Sequence, residues 1–204
     1  YVIRNGVDTD KFAFSAEKRD KIRKELGLGG KFVVGNASRF HIQKNHSLLI
    51  DVFAEIKKVD DSAALLLVGD GGLRAEIEEK AKALGLADSV IFTGVRTDID
   101  CILSAMDVFL MTSFNEGLPV SLVEAQASGL HIVATDTISK EIKLTNLVEF
   151  CSLGDSPEKW AQTVLKYAEG YERRNTKPEI AAAGYDIVST TQELERFYLE
   201  NWHE

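Results

Sequence analysis

Short apolar runs at residues 31–38, 64–69, 90–95, 107–113, 131–135 and 148–153 alternate with stretches of helical character at 15–26, 45–59, 73–84, 98–106, 119–128 and 156–169. This alternation narrows the folding options more than any other feature of the chain. Successive parallel strands need a helical crossover, and a sheet built that way is covered on both faces. The expected fold is therefore α/β, a parallel sheet between two layers of helices. Residues 1–14 read as an entry segment, 15–170 as the α/β core and 171–204 as a C-terminal helical segment. Within the last, Tyr171 to Lys177 is a polar connection and Pro178 opens a short helix. Thr190-Thr-Gln-Glu193 reads as a capping box for a final helix ending near Asn201.

Composition sets the outer bounds. With 204 residues, 45% of them hydrophobic and only three prolines, the chain is about one domain long and can bury a core. A formal net charge of −8 argues against nucleic acid or an anionic membrane surface as a direct partner. No apolar run approaches the ~18 residues of a membrane-spanning helix, and the N-terminus carries no signal-peptide pattern. Cys101 and Cys151 are too few and too far apart for a disulfide framework or a zinc site. Buried thiols in a reducing cytosol, and hence a cytoplasmic protein, are expected.

Candidate chemistry concentrates between Glu116 and Glu124, Glu-Gly-Leu-Pro-Val-Ser-Leu-Val-Glu. An apolar strand, Asp107 to Ser113, runs into this segment, and Pro119 suits the first position of a helix. The opening turn of such a helix has backbone N–H groups without intrahelical partners and the positive end of the helix dipole, which suits phosphate oxygens. Leu118, Val120 and Ser121 are the candidate donors, since Pro119 has none. Glu124 falls on the same side as Val123 and leans back toward the N-terminus, placing a partly buried carboxylate where ribose hydroxyls can donate to it. Read alone, Glu124 is equally a solvated helix-surface residue, and Glu116 an acid that complements the helix dipole. A second group lies on the loop between the first strand and its helix, where Arg39 can fork onto phosphate and Lys44 supplies a point charge. Loops at that end of an α/β sheet border the ligand crevice.

These residues resemble a known family. The Arg-x4-Lys-Asn loop at 39–45, Phe-Thr-Gly at 92–94 and the Glu-x7-Glu pair at 116 and 124 are similar to the donor-binding half of a family 4 retaining glycosyltransferase of the GT-B fold. The opening Val-Ile-Arg-Asn-Gly-Val-Asp8 resembles the passage between that fold's two Rossmann-like domains. Thr93 to Ile99 and Glu124-Ala-Gln-Ala127 are most like bacterial capsule and exopolysaccharide transferases. The resemblance covers essentially the whole chain. It implies that Arg39 and Lys44 hold the donor diphosphate, that Glu124 binds the ribose and that Glu116 faces the transferred sugar. The amides after Gly117 would help hold the diphosphate, backbone near Val95 and Arg96 would meet the base, and Gly69 would form a tight turn at the site's border. The implied donor is a UDP- or GDP-linked sugar, with no cofactor and no catalytic metal. A preceding domain would bind the acceptor, so the present domain alone is expected to be inactive. The resemblance implies a full-length enzyme peripheral at the inner face of the cell membrane. Two departures stand out: Ser38 where the family usually has Gly, and His131 where Pro is common, the latter read as a strand edge.

Other classes remain open at this stage, among them a nucleotide-sugar epimerase of the same fold and a non-catalytic nucleotide-binding module. Gly69-Asp-Gly-Gly72 imitates a dinucleotide loop but lacks the full Gly-x-Gly-x-x-Gly. Asp8-Thr-Asp10 and Asp98-Ile-Asp100 imitate a metal-binding Asp-x-Asp, yet the first lies in the entry segment and Asp98 reads as a helix cap. His41, His46, His131 and His203 lack metal-ligand spacing and read as surface or packing residues.

Overall fold

The computed structural model describes residues 3–201. Its six strands are β1 (Val33–Ala37), β2 (Ala64–Val68), β3 (Val90–Gly94), β4 (Val108–Met111), β5 (His131–Thr135) and β6 (Val148–Cys151). They form one sheet in the order β3-β2-β1-β4-β5-β6, and every neighbouring pair is parallel. The helices are α1 (Ala16–Glu25), α2 (His46–Val59), α3 (Arg74–Ala83), α4 (Ile99–Ala105), α5 (Val120–Ala127), α6 (Pro157–Leu165), α7 (Lys177–Ala182) and α8 (Ile187–Asn201).

Burial accounts for the layering. All five residues of β2 are buried, as a strand packed on both faces requires. One face carries Phe109, Met111, Leu66 and Ile132 against α1, α4, α5 and α7. The other carries Val34, Leu65, Leu67 and Leu110 against α2, α3 and α6, with Trp160 fully buried among them. Cys151 is buried and Cys101 half-buried, both as free thiols whose pKa burial raises.

Five of the strands are shorter than their apolar runs, β5 alone matching its run at 131–135, and a trimmed end can have other partners. The Asp107 carboxylate accepts from Arg19 at 2.7 Å, from Arg23 at 2.5 Å and from the Val33 amide at 2.7 Å, which fastens α1 beneath β1 and β4. The polar connection is a clamp rather than a tether. The Arg173 guanidinium is deeply buried, and burial pulls its pKa down to about 10. It donates to the carbonyls of Leu103, Met106 and Ser128, so it satisfies acceptors left over where α4 and α5 end.

Three local expectations are corrected. The last helix begins at Ile187, so Thr190 lies inside it and donates back to the Asp186 carbonyl at 2.8 Å. Asp186 takes the role expected of a cap, receiving the Ser189 amide at 3.3 Å and the Thr9 hydroxyl at 2.5 Å. Asp98 precedes α4 but makes no side-chain cap, because its carboxylate is bound to Arg96. His131 is on no sheet edge, since β5 lies between β4 and β6. Its ring stacks on Tyr167 at 4.1 Å and meets Tyr171 edge-on, and the Tyr171 hydroxyl donates to the Asp107 carbonyl at 2.8 Å.

Asp107 is thus the shared counter-charge of two arginines beneath the sheet centre. Removing one partner of such a cluster strands the others. Asp107→Ala should cost about 3 kcal/mol of unfolding free energy by urea denaturation, whereas a loss under about 0.5 kcal/mol would mark the cluster as a solvated surface network.

Candidate functional site

The site is assembled where β1 and β4 end. Beyond β1 the backbone continues beside the chain leaving β2: the Ser38 amide donates to the Val68 carbonyl and the Phe40 amide to the Asp70 carbonyl, both at 3.0 Å. Only glycine fits opposite. At φ +130°, a Cβ on Gly69 would lie 2.1 Å from the Ser38 carbonyl oxygen. Gly69 therefore permits a close crossing of two loops, which is more than a tight turn. Gly117, by contrast, has nothing within 4 Å of a would-be Cβ and no left-handed φ.

The loop after β1 makes a 3-10 turn over Ile42–Lys44 and enters α2 through Asn45, whose φ is 50°. The loop after β4 is strapped to it. Phe114 donates its amide to the Gln43 carbonyl at 2.8 Å, the Gln43 side chain donates to the Asn115 carbonyl at 2.6 Å, and Thr112 donates to the Asn45 carbonyl at 2.9 Å. Across this strap Lys44 forms a direct ion pair with Glu116, whose side chain is only 11% exposed. Two residues expected to meet different parts of a ligand are thus each other's partner here. The strapping residues Gln43, Thr112 and Asn115 were not singled out from the sequence, because nothing in their spacing distinguishes them from ordinary loop polar residues.

Pro119 stands one place earlier than expected, as the cap residue before α5, with φ −70° and ψ 111°. The first helical amides are therefore those of Val120 and Ser121, and they lack intrahelical acceptors. Leu118 packs its side chain on the core. A cleft of about 230 Å³ is lined by Ser38, Gly69, Val95, Arg96, Ser121 and Glu124 among others. It brings together five of the expected site residues, Gly69, Val95, Arg96, Ser121 and Glu124, from three separate stretches of chain. The Arg96 side chain is committed to Asp98 and to Glu25 at 2.7 Å, which leaves the backbone of this stretch as what it can offer a ligand. Arg39 is exposed, and among the described residues it makes no ion pair. The Asp-x-Asp pairs are engaged elsewhere, Asp10 with Lys177, Asp98 with Arg96 and Asp100 with Lys18.

Glu124 differs from every other acid of the site. It is half-buried, and among the described residues its carboxylate has no hydrogen bond or ion pair, so burial raises its pKa against a smaller opposing pull from Lys11. A desolvated acceptor of this kind faces a cleft that holds helix amides and two loops in contact. The family model of glycosyl transferases group 1 matches residues 18–181. The chain belongs to the glycosyl transferase group 1 family. It is 35% identical over 202 residues to EpsF of Bacillus subtilis, covering 97% of this chain and 53% of that protein. It is also 35% identical over 209 residues to the UDP-Gal:alpha-D-GlcNAc-diphosphoundecaprenol alpha-1,3-galactosyltransferase of Escherichia coli, covering 98% and 54% respectively. Among solved structures, HepE of Anabaena in complex with UDP and glucose superposes with a TM-score of 0.84 at 26% identity, over 99% of this chain and 57% of that one. The chain spans about half the length of the curated relatives it matches. The fold is the C-terminal half of a GT-B glycosyltransferase.

The glycosyl transferase group 1 domain carries an energetic cost at Glu124. Because its folded pKa is raised above the unfolded carboxylate value of about 4.3, its contribution favours the native state below that value and is lost as pH rises through the folded pKa. Glu124→Gln should therefore melt at a higher temperature than the wild type at pH 7, and the two melting curves should converge as pH falls into the carboxylate range. Parallel melting temperatures at every pH would mean that the carboxylate is not desolvated.

Proposed function

We propose that this chain is the nucleotide-sugar-binding domain of a retaining glycosyltransferase that works in bacterial exopolysaccharide or capsule assembly. The observation that carries the reading is the unpaired, half-buried Glu124 in a cleft beside the opening turn of α5, within a group 1 glycosyltransferase fold. In this reading Glu124 accepts from the ribose hydroxyls, and the backbone at Val95 and Arg96 meets the base. The diphosphate lies against the Val120 and Ser121 amides and between Arg39 and Lys44. The neighbour solved with UDP favours a UDP-linked donor. The E. coli relative, named for a diphosphoundecaprenol-linked substrate, favours a lipid-linked acceptor for the whole protein, met at the inner face of the membrane. No helix among the described residues is long and apolar enough to cross a membrane.

Transfer breaks the bond from the anomeric carbon to the diphosphate while the acceptor oxygen joins that carbon on the same face and its proton passes to the departing diphosphate. Negative charge grows on the departing diphosphate, and cations and amides already in place stabilise it more in the transition state than in the ground state. Acceptor positioning falls to a preceding domain in the full-length protein. The Lys44–Glu116 pair then breaks when the donor binds: Lys44 turns to phosphate and Glu116 is released toward the sugar.

The pair orders the expected effects of mutation. Arg39→Ala, which removes an unpaired cation, should weaken UDP binding about tenfold or more, as for a charge-assisted contact. Lys44→Ala should weaken it less, because wild-type Lys44 must first leave Glu116. Glu116→Gln should leave UDP binding unchanged or tighter while weakening a UDP-sugar. Titration calorimetry on the three variants decides, and unchanged UDP affinity in both cation variants would remove the phosphate assignment.

A further inference from the structure

His46, the first residue of α2, lies outside every role assigned above, yet it touches both residues that flank Arg39. Its ring is stacked on Phe40, with centroids 4.3 Å apart and planes 13° from parallel. Its Nε2 lies 3.2 Å from the Ser38 hydroxyl. The side chain is almost wholly buried, at 3% exposure. We infer that His46 is a positioning residue for the diphosphate side of the donor site, acting by gripping Ser38 and Phe40 so that Arg39 is presented from a fixed backbone. The inference rests on the donor reading given above.

The hydrogen-bond sense follows from the neighbours. Ser38 spends its own proton on the Asn36 side-chain oxygen at 2.5 Å, and the Asn36 amide donates to the Leu110 carbonyl at 2.8 Å. The Ser38 oxygen is then free to accept, so His46 donates from Nε2 and its Nδ1 is the bare nitrogen. Among the described residues Nδ1 is indeed buried without a partner, a site that suits a lone pair in apolar surroundings and excludes a second proton. Burial, helped by Lys44, lowers the His46 pKa to about 4, so the ring stays neutral at physiological pH. The relay runs from β4 through Asn36 and Ser38 to α2, and it pins the side chain of Ser38 while Val68 and Gly69 pin its backbone. Glycine at position 38 could make no such relay. Ser38 and His46 thus form one device, in which a side-chain tether holds the entrance of the cation loop.

Two variants separate positioning from packing. His46→Phe keeps the stack and loses the donor, whereas His46→Gln retains an amide donor near the Nε2 position. His46→Phe should bind UDP about fivefold more weakly, the loss expected of one neutral hydrogen bond, with a smaller loss for UMP. His46→Gln should return to within about twofold of the wild type, since its amide donor replaces the lost hydrogen bond. Without ligand, amide exchange at Ser38 and Phe40 should quicken in His46→Phe and not in His46→Gln. Wild-type protein that binds neither UDP nor UMP would defeat the donor reading itself, leaving the exchange measurement to decide the tether. Wild-type UDP affinity in His46→Phe, parallel losses of UDP and UMP with a lowered melting temperature, or unaltered exchange would each overturn the positioning role.

Discussion

The pairing of β1 with β4 at the middle of the sheet governs what the rest of the molecule can do. From β1 the chain passes through α2 to β2 on one side, and from β4 it passes through α5 to β5 on the other, with the two helices on opposite faces. Two adjacent strands whose continuations diverge leave a crevice above their carboxyl ends, because neither crossover covers it. The side chains and amides assigned to the diphosphate, ribose and sugar are hung on that crevice, and the backbone at Val95 and Arg96 joins them from the loop after β3. Ser38 to Lys44 lie on the loop leaving β1, and Glu116 to Glu124 on the loop and helix leaving β4.

Charge within the crevice is arranged in two contrasting ways. Glu116 and Lys44 neutralise each other and add to the straps between the loops. Glu124 is left half-buried and unpaired, which costs stability and keeps a strong acceptor available. In the proposed reading, the first arrangement stores charge in a contact that a ligand exchanges for its own, and the second keeps a polar group undersatisfied until a hydroxyl arrives. Asp107, Arg23, Arg173 and Tyr171 satisfy one another and the local carbonyls, so the amino ends of the strands are held rigidly while the carboxyl ends stay open.

Sequence reasoning located the elements well where periodicity and burial agree, as in the uniformly apolar β2 and the Ser15-capped α1. It misjudged positions where a side chain finds a better partner through space. Asp98 forgoes its cap for Arg96, and Thr190 sits inside a helix that Asp186 begins. His131 became part of an aromatic stack in an interior strand. In each case the local pattern was compatible with the expected role and another contact prevailed, from two residues away for Asp98, from a cap one turn earlier for Thr190 and from the distant Tyr167 and Tyr171 for His131.

What the sequence by itself determined is the α/β alternation, the parallel sheet and the order of its polar loops, since these follow from local periodicity and from the crossover that parallel strands demand. It also marked Arg39, Lys44, Glu116 and Glu124 as the charged groups at strand ends. Only the tertiary structure decided how those charges are spent: that Lys44 meets Glu116, that Glu124 has no hydrogen bond or ion pair among the described residues, and that His46 grips the residues on either side of Arg39. Those outcomes depend on which loops from separate crossovers come within hydrogen-bonding distance, and on how deeply each side chain is removed from water. Neither quantity is a property of any single stretch of chain.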